Sequence, residues 1–125
     1  MKKYKKIETP NKIQYYLIVT DDITNNFFSY FILYLLYLLK KNKNKKIYVG
    51  VDFEFNSKEI ACFQLNFDIG LKHSTYMFII NYDLLSDFSK KVFIDDFLIN
   101  KKIKKILHDA RPGDLPKLIN NIFTS

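Results

Sequence analysis

Residues 47–55 read Ile-Tyr-Val-Gly-Val-Asp-Phe-Glu-Phe, an apolar segment that carries two carboxylates two positions apart. Such β-branched and aromatic residues favour a strand. Side chains alternate across a strand, so Asp52 and Glu54 are predicted on one face, with Val51 and Phe53 on the other. The two carboxylates would lie about 7 Å apart on a stiff element. Oxygen ligands at this spacing can share a pair of divalent cations, which makes this strand the chain's candidate catalytic element.

The composition is that of one folded domain. The chain has 125 residues, of which 48% are hydrophobic, with 12 Phe and 9 Tyr, so a sizeable core can be buried. The net charge is +7, and lysines cluster in residues 2–6, 40–46 and 101–105. This charge is compatible with a nucleic-acid or other polyanionic partner, and equally with solvated loops in a chain rich in Lys and Asn.

The number of cysteines indicates whether the protein works in a reducing or an oxidising compartment. Cys62 is the single cysteine, which excludes an internal disulfide and favours a reducing environment. Its apolar neighbours predict a buried structural thiol. The lysine-rich start is followed by Glu8 and Pro10 where a signal peptide would have an apolar core. These features predict an intracellular, soluble protein.

The longest apolar run, residues 27–39, is 13 residues long when Ser29 is tolerated, short of the roughly 20 that span a bilayer. Asp21 or Asp22 can cap a helix here, and Lys40 and Lys41 suit its C-terminal end. We expect a core helix from about Asp22 to Lys41 and no membrane partner. A membrane-associated helix is the alternative.

The remaining pattern alternates strands and helices. Strands are predicted at residues 14–20, 59–67, 75–81 and 103–108, and helices at 84–100 and 114–123. The short connection at 56–58 indicates an antiparallel meander of three strands. In the helix predicted at residues 84–100, the apolar stripe comprises Leu85, Phe88, Val92, Phe93 and Phe97. That of the closing helix comprises Leu115, Leu118, Ile119 and Ile122. The fold class is α/β, in one domain over residues 1–125.

In this order the elements resemble the DnaQ-like 3′-5′ exonucleases of the RNase D and Werner type, which use four acidic residues. The first family motif, an apolar strand ending in Asp-x-Glu-Phe, matches residues 49–55, and the family strand that follows it is similar to residues 62–65. The second motif, a Lys-Ile-Leu-His strand end leading to Asp-Leu at a helix start, matches residues 105–108 and 114–115. The loop length looks most like that of exonuclease-like proteins of large DNA viruses.

The resemblance implies a ribonuclease H-like mixed sheet, with three antiparallel strands, a parallel fourth and flanking helices. It also implies hydrolysis of single-stranded DNA or RNA from 3′ ends with two Mg²⁺ or Mn²⁺ ions. Asp52 would bridge both ions, Glu54 would bind the ion that activates water, and Asp114 would hold the second ion. From its place on the loop, Arg111 is either a phosphate contact or a solvated turn residue, and His108 is expected to pack at the strand end under the site.

The match covers the first two-thirds of a family domain. The third motif, a Tyr or His followed four residues later by an Asp, has no counterpart, because no Asp or Glu follows Asp114. Asp114 is also an ordinary helix cap, and Asp109 is an alternative ligand. Since general-base catalysis contributes about 10²- to 10⁴-fold, we expect a truncated domain with weak or no activity alone. Three hypotheses for the function of the chain follow. It is an exonuclease relative completed by a second chain, a non-catalytic nucleic-acid-binding relative, or a small membrane-associated protein.

Overall fold

A computed structural model describes residues 5–55, 61–70 and 74–107. These residues form a six-stranded sheet with helices packed on one face. The strands are β1 (Lys5–Thr9), β2 (Lys12–Val19), β3 (Ile47–Phe55), β4 (Ala61–Asp68), β5 (Ser74–Asn81) and β6 (Ile103–Leu107). The helices are α1 (Asp22–Lys41) and α2 (Asp87–Lys91), and α2 continues as a π-helical segment at Val92–Leu98.

The sheet is mixed, in the order β1-β2-β5-β4-β3-β6. Strands β3, β4 and β5 form the predicted antiparallel meander, and β6 lies parallel to β3, so the α/β class is confirmed. Strand β2 joins the other side of β5 in parallel. The closing helix predicted at residues 114–123 lies outside the described residues.

Strand β1 was not predicted. It forms a hairpin with β2 through Pro10 and Asn11, and all five of its residues are exposed. Its sequence, Lys-Lys-Ile-Glu-Thr, has no apolar alternation because neither face is buried. The cross-strand pairing, and not side-chain burial, defines this strand.

Helix α1 has the predicted bounds. Asp21 is its N-cap: an Asp21 carboxylate oxygen accepts from the Thr24 backbone N–H at 2.9 Å, and the Thr24 hydroxyl accepts from the Asp21 N–H at 2.9 Å. The side chains of Phe28, Ile32 and Leu35 are fully buried against the sheet. This is the predicted core helix. Among the described helices, none has the length and apolar character needed to cross a membrane.

The second helical region differs from the prediction at one position of its apolar stripe. Leu85, Val92, Phe93 and Phe97 are buried as expected, but Phe88 is 52% exposed, so its predicted place in the core is wrong. The inward-facing residue of α2 is Ser89, whose hydroxyl lies 2.8 Å from that of Ser29 on α1. A polar contact therefore sets which face of α2 is buried.

Buried Asn25 joins α1 to the start of the second helical region. Its side-chain amide donates to the Leu84 carbonyl at 3.1 Å, and its side-chain carbonyl accepts from the Ser86 N–H at 2.8 Å. Ser86 in turn caps α2 by accepting from the Ser89 N–H at 3.1 Å. These bonds fix the two helices on one face of the sheet.

Candidate functional site

The two carboxylates of β3 project from the face of the sheet that the described helices do not cover. Asp52 and Glu54 are exposed, whereas Val51 is buried and Phe53 packs its ring against the core ring of Phe63, 6.3 Å between centroids. The predicted alternation along this strand is confirmed. Helix α1 lies on the opposite side, so these carboxylates point away from the helical layer.

The neighbours of the carboxylates come from β4. In the antiparallel register Asp52 lies opposite Gln64, and Glu54 lies opposite Cys62. Side chains placed directly opposite have Cβ atoms about 4.5–5.5 Å apart. Gln64 and Cys62 are both exposed. The four residues therefore make one polar surface, and we call it the carboxylate face.

The prediction that Cys62 is a buried structural thiol is wrong, because the structure exposes it. Phe63 and Leu65 are fully buried, and strict alternation places Cys62 on the other side with Gln64. The alternation could have been recognised in the sequence. Partial burial, and secondarily the negative charge of Glu54, raises the pKa of the Cys62 thiol.

Strand β6 ends beside the carboxylate strand β3. It lies parallel to β3, with Leu107 beside Val51, one position before Asp52. The carboxyl ends of parallel strands meet at one edge of a sheet, where ligands of α/β folds commonly bind. The next residue along the chain is His108.

The second half of the predicted site lies outside the described residues. His108, Asp109, Arg111 and Asp114 all follow Leu107 in the sequence. That they lie near Asp52 therefore stays a prediction.

Lys105 of β6 lies on the side of the sheet that the helices cover. Lys105 is half-buried on β6, and its Nζ donates to the carbonyls of Phe97 and Asn100, each at 2.8 Å. The ammonium also lies 5.5 Å from the centre of the Phe97 ring. Burial, with the charge of Lys104 second, lowers the pKa of Lys105 to about 8. Lys105 ties β6 to the end of the π-helical segment, and it is not on the carboxylate face.

The described part of the carboxylate face holds two carboxylates, Asp52 and Glu54. Asp52 and Glu54 offer the hard oxygen ligands that Mg²⁺ and Mn²⁺ take. Neither carboxylate is in an ion pair with a described residue. Within residues 5–55, 61–70 and 74–107 no third His, Cys, Asp or Glu completes a cluster with them. Further ligands would have to come from outside these residues.

Comparison with known proteins finds a viral relative. The chain is 39% identical over 106 residues to Uncharacterized protein L533 of Acanthamoeba polyphaga mimivirus. The matched region covers 85% of this chain and 20% of L533, so the chain spans about a fifth of the length of that relative. No family model matches the chain. No solved structure matches it either.

Proposed function

We propose that this chain carries a 3′-5′ exonuclease-like domain in which Asp52 and Glu54 form the first half of a two-metal site. One observation carries the proposal. Both carboxylates are exposed on one sheet face, beside a parallel strand whose end leads directly to the His108–Asp114 segment. Hydrolysis of phosphodiester bonds needs this kind of surface, on which oxygen ligands are presented and not neutralised by lysines.

The topology supports the proposal. The strand order β5-β4-β3-β6, with β6 parallel to β3, is the order that a ribonuclease H-like sheet would require. The carboxylate strand β3 then lies between β4 and β6 in the sheet. The β1–β2 hairpin extends the opposite edge and leaves the carboxylate face unchanged.

Each residue would have a distinct role. Two Mg²⁺ or Mn²⁺ ions, when bound, would stabilise the attacking and leaving oxygens of the phosphodiester. Asp52 would contact both ions and Glu54 one of them, and Asp114 would supply the third carboxylate. Arg111 would bind a phosphate of the single-stranded DNA or RNA near its 3′ end. His108 would pack below the ligands at the end of β6.

The described carboxylates are too few for full catalysis. Two carboxylates leave most of the coordination of two cations to other groups, and no acidic residue follows Asp114 in the sequence. We therefore expect the isolated chain to bind a cation weakly and to hydrolyse nucleic acid slowly or not at all. Groups outside these 125 residues that supply the remaining ligand and the water-activating group would restore activity.

The first experiment separates cation binding from hydrolysis. Mn²⁺ binding, followed by the electron paramagnetic resonance of free Mn²⁺, is compared for the wild type, Asp52→Ala and Glu54→Gln. Asp95→Asn is the matched control, because Asp95 is an exposed carboxylate on the π-helical segment behind the sheet. We expect each β3 variant to weaken binding about ten-fold, as loss of one charged ligand would, and the control to match the wild type.

The second experiment measures degradation of 3′-labelled single-stranded DNA and RNA by the same proteins in Mn²⁺. Degradation that Asp52→Ala abolishes would support a complete site. Mn²⁺ binding without degradation would support a site that needs a second chain. Equal Mn²⁺ binding by wild type and Asp52→Ala would contradict the proposal and leave a non-catalytic nucleic-acid-binding relative, recognised by salt-sensitive binding that Asp52→Ala does not change.

A further inference from the structure

Helix α1 exposes a continuous apolar stripe on its outer side. Its members are spaced by four, three, four and three residues, and each is between 45% and 65% exposed: Ile23, Phe27, Tyr30, Tyr34 and Tyr37. We call this set the tyrosine stripe. Its spacing is that of the a and d positions of a coiled coil. The opposite side of the same helix is buried against the sheet, so α1 is apolar on two faces.

The tyrosine stripe is unlike an ordinary solvated helix face. From Ile23 to Leu39 the helix has no charged residue at all. A groove of about 510 Å³ borders the stripe, and its walls include Phe31 and, from β2 and β5, Tyr15 and Tyr76. Exposed apolar surfaces of this extent usually mark interaction sites.

The two ends of α1 carry opposite charges. Asp21 and Asp22 lie at its start, and Lys40 and Lys41 lie in its last turn. At 1.5 Å per residue, Asp22 and Lys40 are about 27 Å apart, too far to pair within one helix. A second copy of α1 in antiparallel orientation would place the acidic end of each copy against the basic end of the other.

We propose that the tyrosine stripe is the interface of a two-fold symmetric dimer in which the α1 helices of two copies pack antiparallel. Tyr30 lies near the axis and meets its own copy, and Phe27 of each chain lies near Tyr34 of the other. Such a surface is self-complementary, as a two-fold interface must be. Burying the exposed half of four aromatic side chains and Ile23 in both copies removes roughly 1,000 Å² from water, the lower end for a specific interface.

Charge argues against two other occupants of this surface. A nucleic-acid strand stacked on the tyrosines would need cations along its whole length, whereas the Lys41 ammonium, 5.9 Å from the centre of the Tyr37 ring, lies at one end of the stripe and residues 23–39 carry no charge. An anionic membrane surface would attract Lys40 and Lys41 and repel Asp21 and Asp22. In the dimer, Asp22 of each copy lies near Lys40 of the other. The dimer also leaves the carboxylate face free, because α1 lies on the other side of the sheet.

The test is sedimentation velocity of the full chain across a hundred-fold range of concentration. We expect a monomer–dimer equilibrium, with a dissociation constant that Tyr30→Lys raises about ten-fold or more. Phe88→Lys is the matched control, since Phe88 is a similarly exposed aromatic on α2 and should leave the equilibrium unchanged. Thermal unfolding checks that both variants fold. A wild type that stays monomeric, or a dimer unaffected by Tyr30→Lys, would overturn the proposal.

A charge exchange tests the orientation. Asp22→Lys and Lys40→Glu should each weaken the dimer, and the double variant should restore it, because the new charges face each other across an antiparallel pair. Failure of the double variant to recover would overturn the antiparallel arrangement. A monomer that floats with phosphatidylcholine–phosphatidylserine vesicles, and loses this with Tyr30→Lys, would assign the stripe to a membrane surface and overturn the dimer.

Discussion

Cys62 lies directly opposite Glu54 across the antiparallel pair of β3 and β4, on the same exposed face of the sheet. Partial burial, and after it the negative charge of Glu54, raises the pKa of the thiol. Because the thiolate is the reactive form, the rate of Cys62 alkylation reports the charge next to it. The Cys62 thiol is therefore a chemical probe of the charge on the carboxylate face.

We expect Glu54→Gln to increase the rate at which iodoacetamide modifies Cys62 at pH 8, by about two-fold. Removing the carboxylate charge lowers the thiol pKa and so raises the thiolate fraction. Mn²⁺ bound at Glu54 should act in the same direction in the wild type and not in Asp52→Ala. Asp68→Asn is the control, because Asp68 is an exposed carboxylate further along β4. Equal rates in wild type and Glu54→Gln would contradict this electrostatic coupling.

Asn25→Ala should lower the free energy of unfolding by about 2–3 kcal/mol, since it leaves the Leu84 carbonyl and the Ser86 N–H without their buried partner. Urea unfolding followed by circular dichroism measures this loss. The adjacent Asn26 is exposed and serves as a matched control. We expect Asn26→Ala to change stability by less than about 0.5 kcal/mol. Similar losses in the two variants would argue against the bridging role of Asn25.

Asp21→Ala should cost about 1 kcal/mol of stability, the usual value for a helix N-cap. The variant removes the acceptor of the Thr24 backbone N–H and of the Thr24 hydroxyl, at 2.9 and 2.7 Å. Asp22→Ala removes a neighbouring carboxylate from the first turn without removing the cap, and it should cost a few tenths of a kcal/mol through the helix dipole. The two are compared in the same urea titration, and the reverse order of effects would contradict the assignment of Asp21 as the cap.

Lys105→Met should destabilise the fold by about 1–3 kcal/mol, because the carbonyls of Phe97 and Asn100 lose a charged donor. Lys104→Met, at the exposed neighbouring position, should have little effect. Urea unfolding of both variants at neutral pH measures the difference. An equal loss in Lys104→Met would show that charge, and not these two hydrogen bonds, is responsible.

The difference in unfolding free energy between the wild type and Lys105→Met should increase with pH. The pKa of Lys105 falls from an ordinary 10.5 to about 8 in the folded protein. Between these values the unfolded chain binds more protons, so this group makes the free energy of unfolding rise with pH. The advantage of the wild type over Lys105→Met should therefore grow between pH 7.5 and 9.5. A constant difference over this range would contradict the lowered pKa.

Most of the sheet could be predicted because its strands alternate between a buried and an exposed face. Strands β3, β4 and β5 carry this signal, whereas helix α1 was predicted from its long apolar run between Asp22 and Lys41. Strand β1 does not, since both of its faces are exposed and only pairing with β2 defines it. The exposure of Phe88 could not be predicted either, because a hydrogen bond between two serines, distant in sequence, sets the buried face of α2.

The candidate site was predicted in part for the same physical reason. Asp52 and Glu54 follow from alternation on a single strand, and their exposure is confirmed. The contribution of β4 requires the register, which places Gln64 and Cys62 opposite them. The role of α1 was underestimated. This helix was predicted as a core helix, whereas the spacing of exposed Tyr30, Tyr34 and Tyr37 gives it a second apolar face.

The parallel pairing of β2 with β5 has a consequence for the order of folding. Ile13 pairs with Ser74, about sixty positions later, so the β1–β2 hairpin cannot join the sheet until the later meander has been synthesised. Such non-local contacts raise the contact order and slow folding. Strand β1 is exposed and contains Lys5 and Lys6. Charged side chains on an unpaired strand limit its aggregation with other chains. We therefore expect the lysines of β1 to limit aggregation before the sheet is complete.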